Sequence, residues 1–451
     1  MEDASPPSYP RLVASTGDVY RASIADSHDR EDAALNGTVG NGLEYGSVMG
    51  PKSNRPGSNV FRSVEWTADG TSLLAVSEDN CIRTFIAPPD LLTAPSLHSL
   101  LPYSICRLPS TPHCISPYPF AAISNPSTAL FLTSLPSHPI QLRSFLYPAV
   151  TGTYPLIHTE TEKYLTPASL AWTPNGTHFL AGTDSQIHLF DITREKDGPV
   201  ESYNTGQKRK KAAIADGYSQ SGVRGIVSAL AMHAGTQMFA AGTYSRRVLL
   251  YSSPWQDGQL LDSINLNDIR NDTHSSSPYH YDASGNGVTS LSFSGNGTHL
   301  LIAERKSANL YIYDIRNLST VHSILTRRHA QTNQKIQAAF TNLAGIPDTV
   351  VSGGIDGIVR AWNPFSSSQE DNDGRDDGVQ MHTPSKGWKA AEDPVTAAAV
   401  HPTGCVVATS SGQRKKLPAS TSGQNEYDTS DEESDSGDPG VWDNAIQIWA
   451  V

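Results

Sequence analysis

Six times along the chain one short unit returns, and that recurrence limits the fold more than any single residue does. An apolar-alternating run leads into a turn with glycine, then a run ending in small residues, then a run ending on an aromatic. One copy reads Phe61-Arg-Ser-Val-Glu-Trp66-Thr-Ala-Asp-Gly70, Leu73-Leu-Ala-Val-Ser77 and Ile82-Arg-Thr-Phe85. Another reads Leu170-Ala-Trp-Thr-Pro-Asn-Gly176, Phe179-Leu-Ala-Gly-Thr183 and Ile187-His-Leu-Phe-Asp191, and further copies begin near Ile226, Val288, Ile336 and Val395. A single small twisted sheet cannot bury both its faces. Sheets stacked around an axis can, and they leave only short edges, so the repeat predicts an all-β propeller.

Spacing sets the number of blades. The first runs end at Trp66, Trp172, Met232, Phe293, Phe340 and Val400. All intervals but the first lie between 47 and 61 residues, whereas Trp66 and Trp172 are 106 apart. That interval holds two periods, so a seventh blade is expected between Ile105 and Phe145, with Ala129–Ser134 and Ile140–Phe145 as its middle strands. Intervals of this size fit a WD-type repeat of roughly 40 to 45 residues with loop insertions. The Trp-Asp ending of such repeats is degenerate here, as in Phe190-Asp191, Tyr313-Asp314 and Trp362-Asn363. Three strands per unit are visible and the fourth is variable.

The last blade shows only three strands before Val451, which leaves an edge to be paired. A donor is expected near Arg11-Leu-Val-Ala14, upstream of the first blade. The domain reading is therefore a mostly disordered leader over 1–58 with a closing strand near 11–14, then a seven-bladed propeller over 59–451. Insertions are expected at 193–222, 253–287, 364–393 and 412–443.

Charge is distributed unevenly. The net charge of −12 is accounted for by residues 1–60, 365–393 and 412–443, which carry −3, −4 and −5. The blades are thus formally neutral, and phosphate binding depends on local cation clusters, so the acidic total does not exclude a nucleic-acid partner. Four cysteines without a Cys-x-x-Cys pair, and a Met1-Glu-Asp start, read as a reducing intracellular compartment. No apolar stretch reaches the length of a membrane span.

Two loops carry concentrated charge. Lys208-Arg-Lys-Lys211 has the composition of a nuclear-import segment, and solvated loop charge and RNA contact are its other readings. Tyr427 to Asp438 is almost devoid of apolar residues, which predicts a disordered loop, and Ser430 within it suits an acidophilic kinase. No nucleophile with its base, paired carboxylates or metal set can be assembled from the spacing. His274 and His280 flank a Ser-rich loop without a partner at ligand spacing. The chain reads as a non-enzyme with no cofactor and no metal.

Particular phrases carry a resemblance. Phe61 to Gly70, then Ser77-Glu-Asp-Asn80 and Phe85-Ile-Ala-Pro-Pro89, are followed by His138-Pro-Ile-Gln-Leu142 and Tyr164-Leu-Thr-Pro-Ala-Ser-Leu170. Ala241-Gly-Thr-Tyr-Ser-Arg246, Glu304-Arg-Lys306 with Tyr313-Asp-Ile-Arg316, and Ala408-Thr-Ser-Ser-Gly-Gln-Arg414 complete the series. Over roughly residues 60–450 their order resembles the telomerase Cajal body protein family of WD-repeat proteins, as a fungal-type member. The proline-rich N-terminal region is short compared with animal members, and the second blade is eroded.

That resemblance implies a nuclear RNA-binding scaffold for a small nuclear RNA of the H/ACA type, telomerase RNA in animals, or its ribonucleoprotein. It implies location in the nucleus, at Cajal bodies, with some protein in the cytoplasm, and partners among ribonucleoprotein proteins. Fungal relatives are linked to pre-mRNA splicing, so a protein-protein adaptor in splicing or another complex is the alternative. Residues that match family phrases and suit RNA are Tyr244, Arg246, Arg305, Lys306, Gln413 and Arg414. Arg and Lys neutralise phosphates, and Tyr offers a stacking face to an unpaired base.

Overall fold

Within each unit the burial of alternate residues decides where a strand sits. In Phe61–Trp66, the residues Phe61, Val64 and Trp66 are buried while Arg62 is exposed, as befits the innermost strand, with one face on a neighbouring blade. In Ser72–Ser77 every residue is buried, because this strand lies mid-sheet between two blades. The computed structural model describes residues 10–17, 60–205, 224–270, 285–366, 379–413 and 443–451. Lys208, Arg209, Lys210, Lys211, His274, His280, Arg414, Ser430, the acidic stretch and the leader apart from 10–17 lie outside the described residues.

Seven sheets form the ring, and each runs from an inner strand a to an outer strand d. Blade 1 consists of Phe61–Trp66, Ser72–Ser77, Cys81–Ile86 and Pro102–Arg107. The seventh blade hidden in the long interval is blade 2, formed by Cys114–Pro117, Leu130–Ser134, Ile140–Ser144 and Val150–Tyr154. It starts later than Ile105, which belongs to the outer strand of blade 1. Among the described residues the helical content is one turn of 3-10 helix, Asp268–Arg270.

Every blade has its fourth strand, and three of these lie inside segments read from sequence as insertions. Glu201–Asn204 closes blade 3, Leu260–Asn265 closes blade 4, and Lys386–Lys389 closes blade 6. Their residues are mostly exposed, so the apolar signal that marks the inner strands is missing. The 364–393 segment also sends Gln380–His382 to blade 5, where it pairs in parallel with Ser323–Leu325 as a fifth strand.

Closure joins the two ends of the chain. Arg11–Ser15 pairs antiparallel with Ile446–Ala450, placing Leu12 opposite Trp449 and Ala14 opposite Ile448. Val13 and Ala14 enter a core shared with Phe61, Trp66, Leu73, Phe85, Ile446 and Ile448. Residues His98–Ser99 of blade 1 then cap this strand in parallel. Each large apolar side chain buried in such a seam contributes roughly 1.5 to 3 kcal/mol.

The turns between strands a and b interlock neighbouring blades. Gly70 has φ 70°, and a Cβ there would lie 2.1 Å from Nε2 of His401 in blade 7. Gly176 repeats the arrangement with Tyr118 of blade 2. These glycines satisfy two demands together, a left-handed backbone and room for a side chain reaching across the seam.

Candidate functional site

Antiparallel order places a–b and c–d turns on one face of the ring, and b–c turns with d–a links on the other. The a–b face is acidic, with Asp69, Asp90, Asp191, Asp257 and Asp348, and of its cations Arg194 and Arg316 are already paired with Asp197 and Asp314 while Lys196 and Arg11 are exposed. The b–c face is mixed and carries Arg107, Arg224, Arg305, Lys306 and Lys335. A polyanion is therefore better received on the b–c face.

All the described candidate residues lie on that face. Tyr244 and Arg246 occupy the b–c turn of blade 4, Arg305 and Lys306 that of blade 5, and Gln413 follows strand b of blade 7. At the seam of blades 4 and 5 the link through Gly285 and Gly287 wedges between the two turns. Asn286 N donates to Arg305 O at 2.8 Å, and Arg305 N donates to Gly287 O at 2.9 Å. A Cβ at Gly287 would meet the Tyr244 backbone at 2.7 Å, so the close approach needs glycine there.

This wedge brings Tyr244 and Arg305 together. Arg305 Nη2 donates to Tyr244 Oη at 3.2 Å, and its Cζ stands 4.8 Å from the ring centroid. Tyr244 is exposed and Arg305 half-buried. The Arg305 Nε is buried without a hydrogen-bond partner, and among the described residues no carboxylate lies within salt-bridge distance of this guanidinium. The adjacent Lys306 is exposed.

Arg246, which looks equivalent in sequence, behaves differently. It is buried, with Nε and Nη2 donating to the two oxygens of Glu304 at 2.7 and 2.8 Å and Nη1 donating to Asn267 at 3.2 Å. Burial alone would lower its pKa, but the Glu304 hydrogen bonds and charge hold it above the ordinary arginine value. A guanidinium bound at both prongs to a buried carboxylate is a structural element and not a phosphate contact. Sequence reasoning missed both Glu304 and Arg328, whose buried guanidinium donates to the Glu304 carbonyl at 2.9 Å and to the Ile336 carbonyl at 2.7 Å.

Gln413 sits two blades beyond Arg305. The link between blades 5 and 6 bridges the gap: Lys306 N donates to Thr332 O at 3.1 Å, and Gln334 Nε2 donates to Gly412 O at 3.2 Å. Inside the ring, a cavity of about 490 Å³ is lined by Trp172, Met232, Leu291 and Phe293. Among the described residues no three His, Cys, Asp or Glu side chains converge as a metal site would require.

The comparisons agree with this architecture. Residues 164–191, in blade 3, match the family model described as WD domain, G-beta repeat. The mouse protein named Telomerase Cajal body protein 1 is 24% identical over 363 residues, covering 79% of this chain and 59% of that protein. The chain is a WD-repeat protein similar to Telomerase Cajal body protein 1. A Schizosaccharomyces pombe protein named Guanine nucleotide-binding protein negative regulator 1 is 26% identical over 337 residues, covering 72% of this chain and 76% of that one. Protein SWT21 of Kluyveromyces lactis is 23% identical over 321 residues. The similarity extends over most of the ring, well beyond the single repeat matched by the family model, and supports a scaffold or adaptor role.

Proposed function

We propose that this WD-repeat protein is a non-enzymatic nuclear scaffold that binds a small nuclear RNA, of the H/ACA class, on the b–c face of its propeller. The observation that carries this reading is the pairing of Tyr244 with Arg305. An exposed aromatic face stands beside a cation whose charge is left for a ligand, with Lys306 adjacent. An unpaired base stacks on the ring while Arg305 and Lys306 take the flanking phosphates. The mammalian relative's name, with its Cajal body, supports the nucleus and gives no support to a cytoplasmic share.

Crosslinking followed by sequencing of the bound RNA tests this. Enrichment of one class of small nuclear RNA is expected, and recovery of bulk ribosomal background alone overturns it. In titrations with single-stranded RNA, affinity falls with salt, and Arg305→Ala flattens the logarithmic salt slope by about 0.7.

The name of the fission-yeast relative favours a second reading, a propeller that binds proteins as an adaptor. An apolar peptide groove responds little to salt, so the same titration separates the two readings.

A further inference from the structure

The a–b face carries a second surface at the outer corner of blades 3 and 4. Its centre is the turn between strands c and d of blade 4, where Trp255 is 43% exposed, together with the start of strand d, where Leu260 is 43% and Leu261 53% exposed, and Val200 of blade 3 is 38% exposed. Single exposed apolar residues are ordinary, but a tryptophan on a turn followed within six residues by two adjacent exposed leucines is not.

This turn is held rigidly. Gln256 N and Gly258 N donate to Ser253 O at 3.0 and 3.1 Å, and Gln259 N donates to Ser252 Oγ at 2.8 Å. A Cβ at Gly258 would lie 2.2 Å from the Tyr203 ring, so the turn rests directly on blade 3. The Trp255 ring meets His178 edge-on with centroids 4.5 Å apart. The indole is thus fixed against blade 3 while much of it faces solvent.

Carboxylates surround it. Glu201, Asp257 and Asp262 are exposed, and among the described residues no lysine or arginine lies within salt-bridge distance of them. Asp257 accepts from Ser252 Oγ and Glu201 from Tyr203 Oη, which fixes both side chains. Asp191 stands 3.9 Å from Nε2 of His178, the ring that the indole meets. An aromatic and aliphatic centre with a mainly acidic rim has the anatomy of a protein interface, and its charge selects the partner.

We infer that this corner docks a basic amphipathic segment of a partner protein, with apolar side chains on Trp255, Leu260 and Leu261 and lysine or arginine on Glu201, Asp257 and Asp262. The acidic rim disfavours a second copy of this chain and disfavours RNA. The surface lies on the face opposite Tyr244 and Arg305, so both can be occupied together.

A defined probe tests the inference on the full chain: a 14-residue peptide of leucine and lysine in helical amphipathic order, compared with the same pattern in leucine and glutamate. The lysine peptide is expected to slow amide exchange over Glu201–Asn204 and Leu260–Asn265 and to bind at least about tenfold more tightly than the glutamate peptide. Trp255→Ala should weaken it at least about tenfold. Leu261→Ser, at the most exposed of these positions, should also weaken it without unfolding the chain, and Asp257→Asn with Asp262→Asn should reduce its salt dependence. RNA affinity is unchanged in all of them.

Equal binding of the two peptides, protection elsewhere on the ring, or insensitivity to both Trp255→Ala and Leu261→Ser overturns the inference. So does a shift from dimer to monomer in Leu261→Ser by sedimentation, which would assign the patch to self-association.

Discussion

Glu304 accepts both prongs of the Arg246 guanidinium across the seam of blades 4 and 5, and the carboxylate is wholly buried. Removing one partner leaves the other charge uncompensated. Arg246→Met or Glu304→Leu alone is expected to lower stability by about 3 to 5 kcal/mol, and the double variant by less than the sum. Urea denaturation of the two single variants and the double variant measures this.

A second prediction concerns the interlocked turns. Gly70→Ala drives a methyl group into His401 and puts alanine at positive φ, and a loss of about 1 to 3 kcal/mol is expected. Adding His401→Ala removes the clash but not the backbone strain, so thermal melting of the double variant should recover part of the loss and not all of it.

Closure by the N-terminal strand gives a third. Deleting residues 1–17 uncovers the edge of Ile446–Ala450 and removes Val13 and Ala14 from the core they share with Trp66 and Ile448. The truncated chain should melt lower and aggregate faster, as light scattering will report. An unchanged melting temperature would show that the strand is dispensable.

Acid sensitivity follows from His188. It is buried in blade 3, its two nitrogens bonded to Thr183 Oγ1 at 3.1 Å and Ser202 Oγ at 2.8 Å, and burial pushes its pKa down to about 4. The unfolded imidazole takes up a proton near pH 6.5, and the folded one resists until about 4. The unfolded state therefore binds more protons between these values, so this contribution is full above about pH 6.5 and is lost as pH falls toward 4. It amounts to at most about 3 kcal/mol. His188→Gln should flatten the profile of melting temperature over this window.

How much could be read in advance depended on burial. Strands b and c carry an apolar code because they are packed on both sides, as in Leu73 to Val76 or Phe179 to Ala181, and strand a keeps it on its blade-facing positions. Outer strands such as Glu201–Asn204 are short and polar, and backbone pairing with strand c creates them, so three of them passed for loops. The same limit applied to the site. Tyr-Ser-Arg246 and Glu-Arg305-Lys look alike as cationic turns, and only the fold reveals that Glu304 turns back to hold Arg246 while Arg305 lies against Tyr244. Trp255 was hidden for the opposite reason, since a tryptophan in a loop gives no sign of whether it is covered.

Because the strand Arg11–Ser15 finds its antiparallel mate in Ile446–Ala450, more than 400 residues later, the ring cannot be sealed until Ala450 has left the ribosome. Until then the nascent toroid is an open arc with an unmatched rim on its first and last blades, a period when chaperone protection of the growing protein counts most.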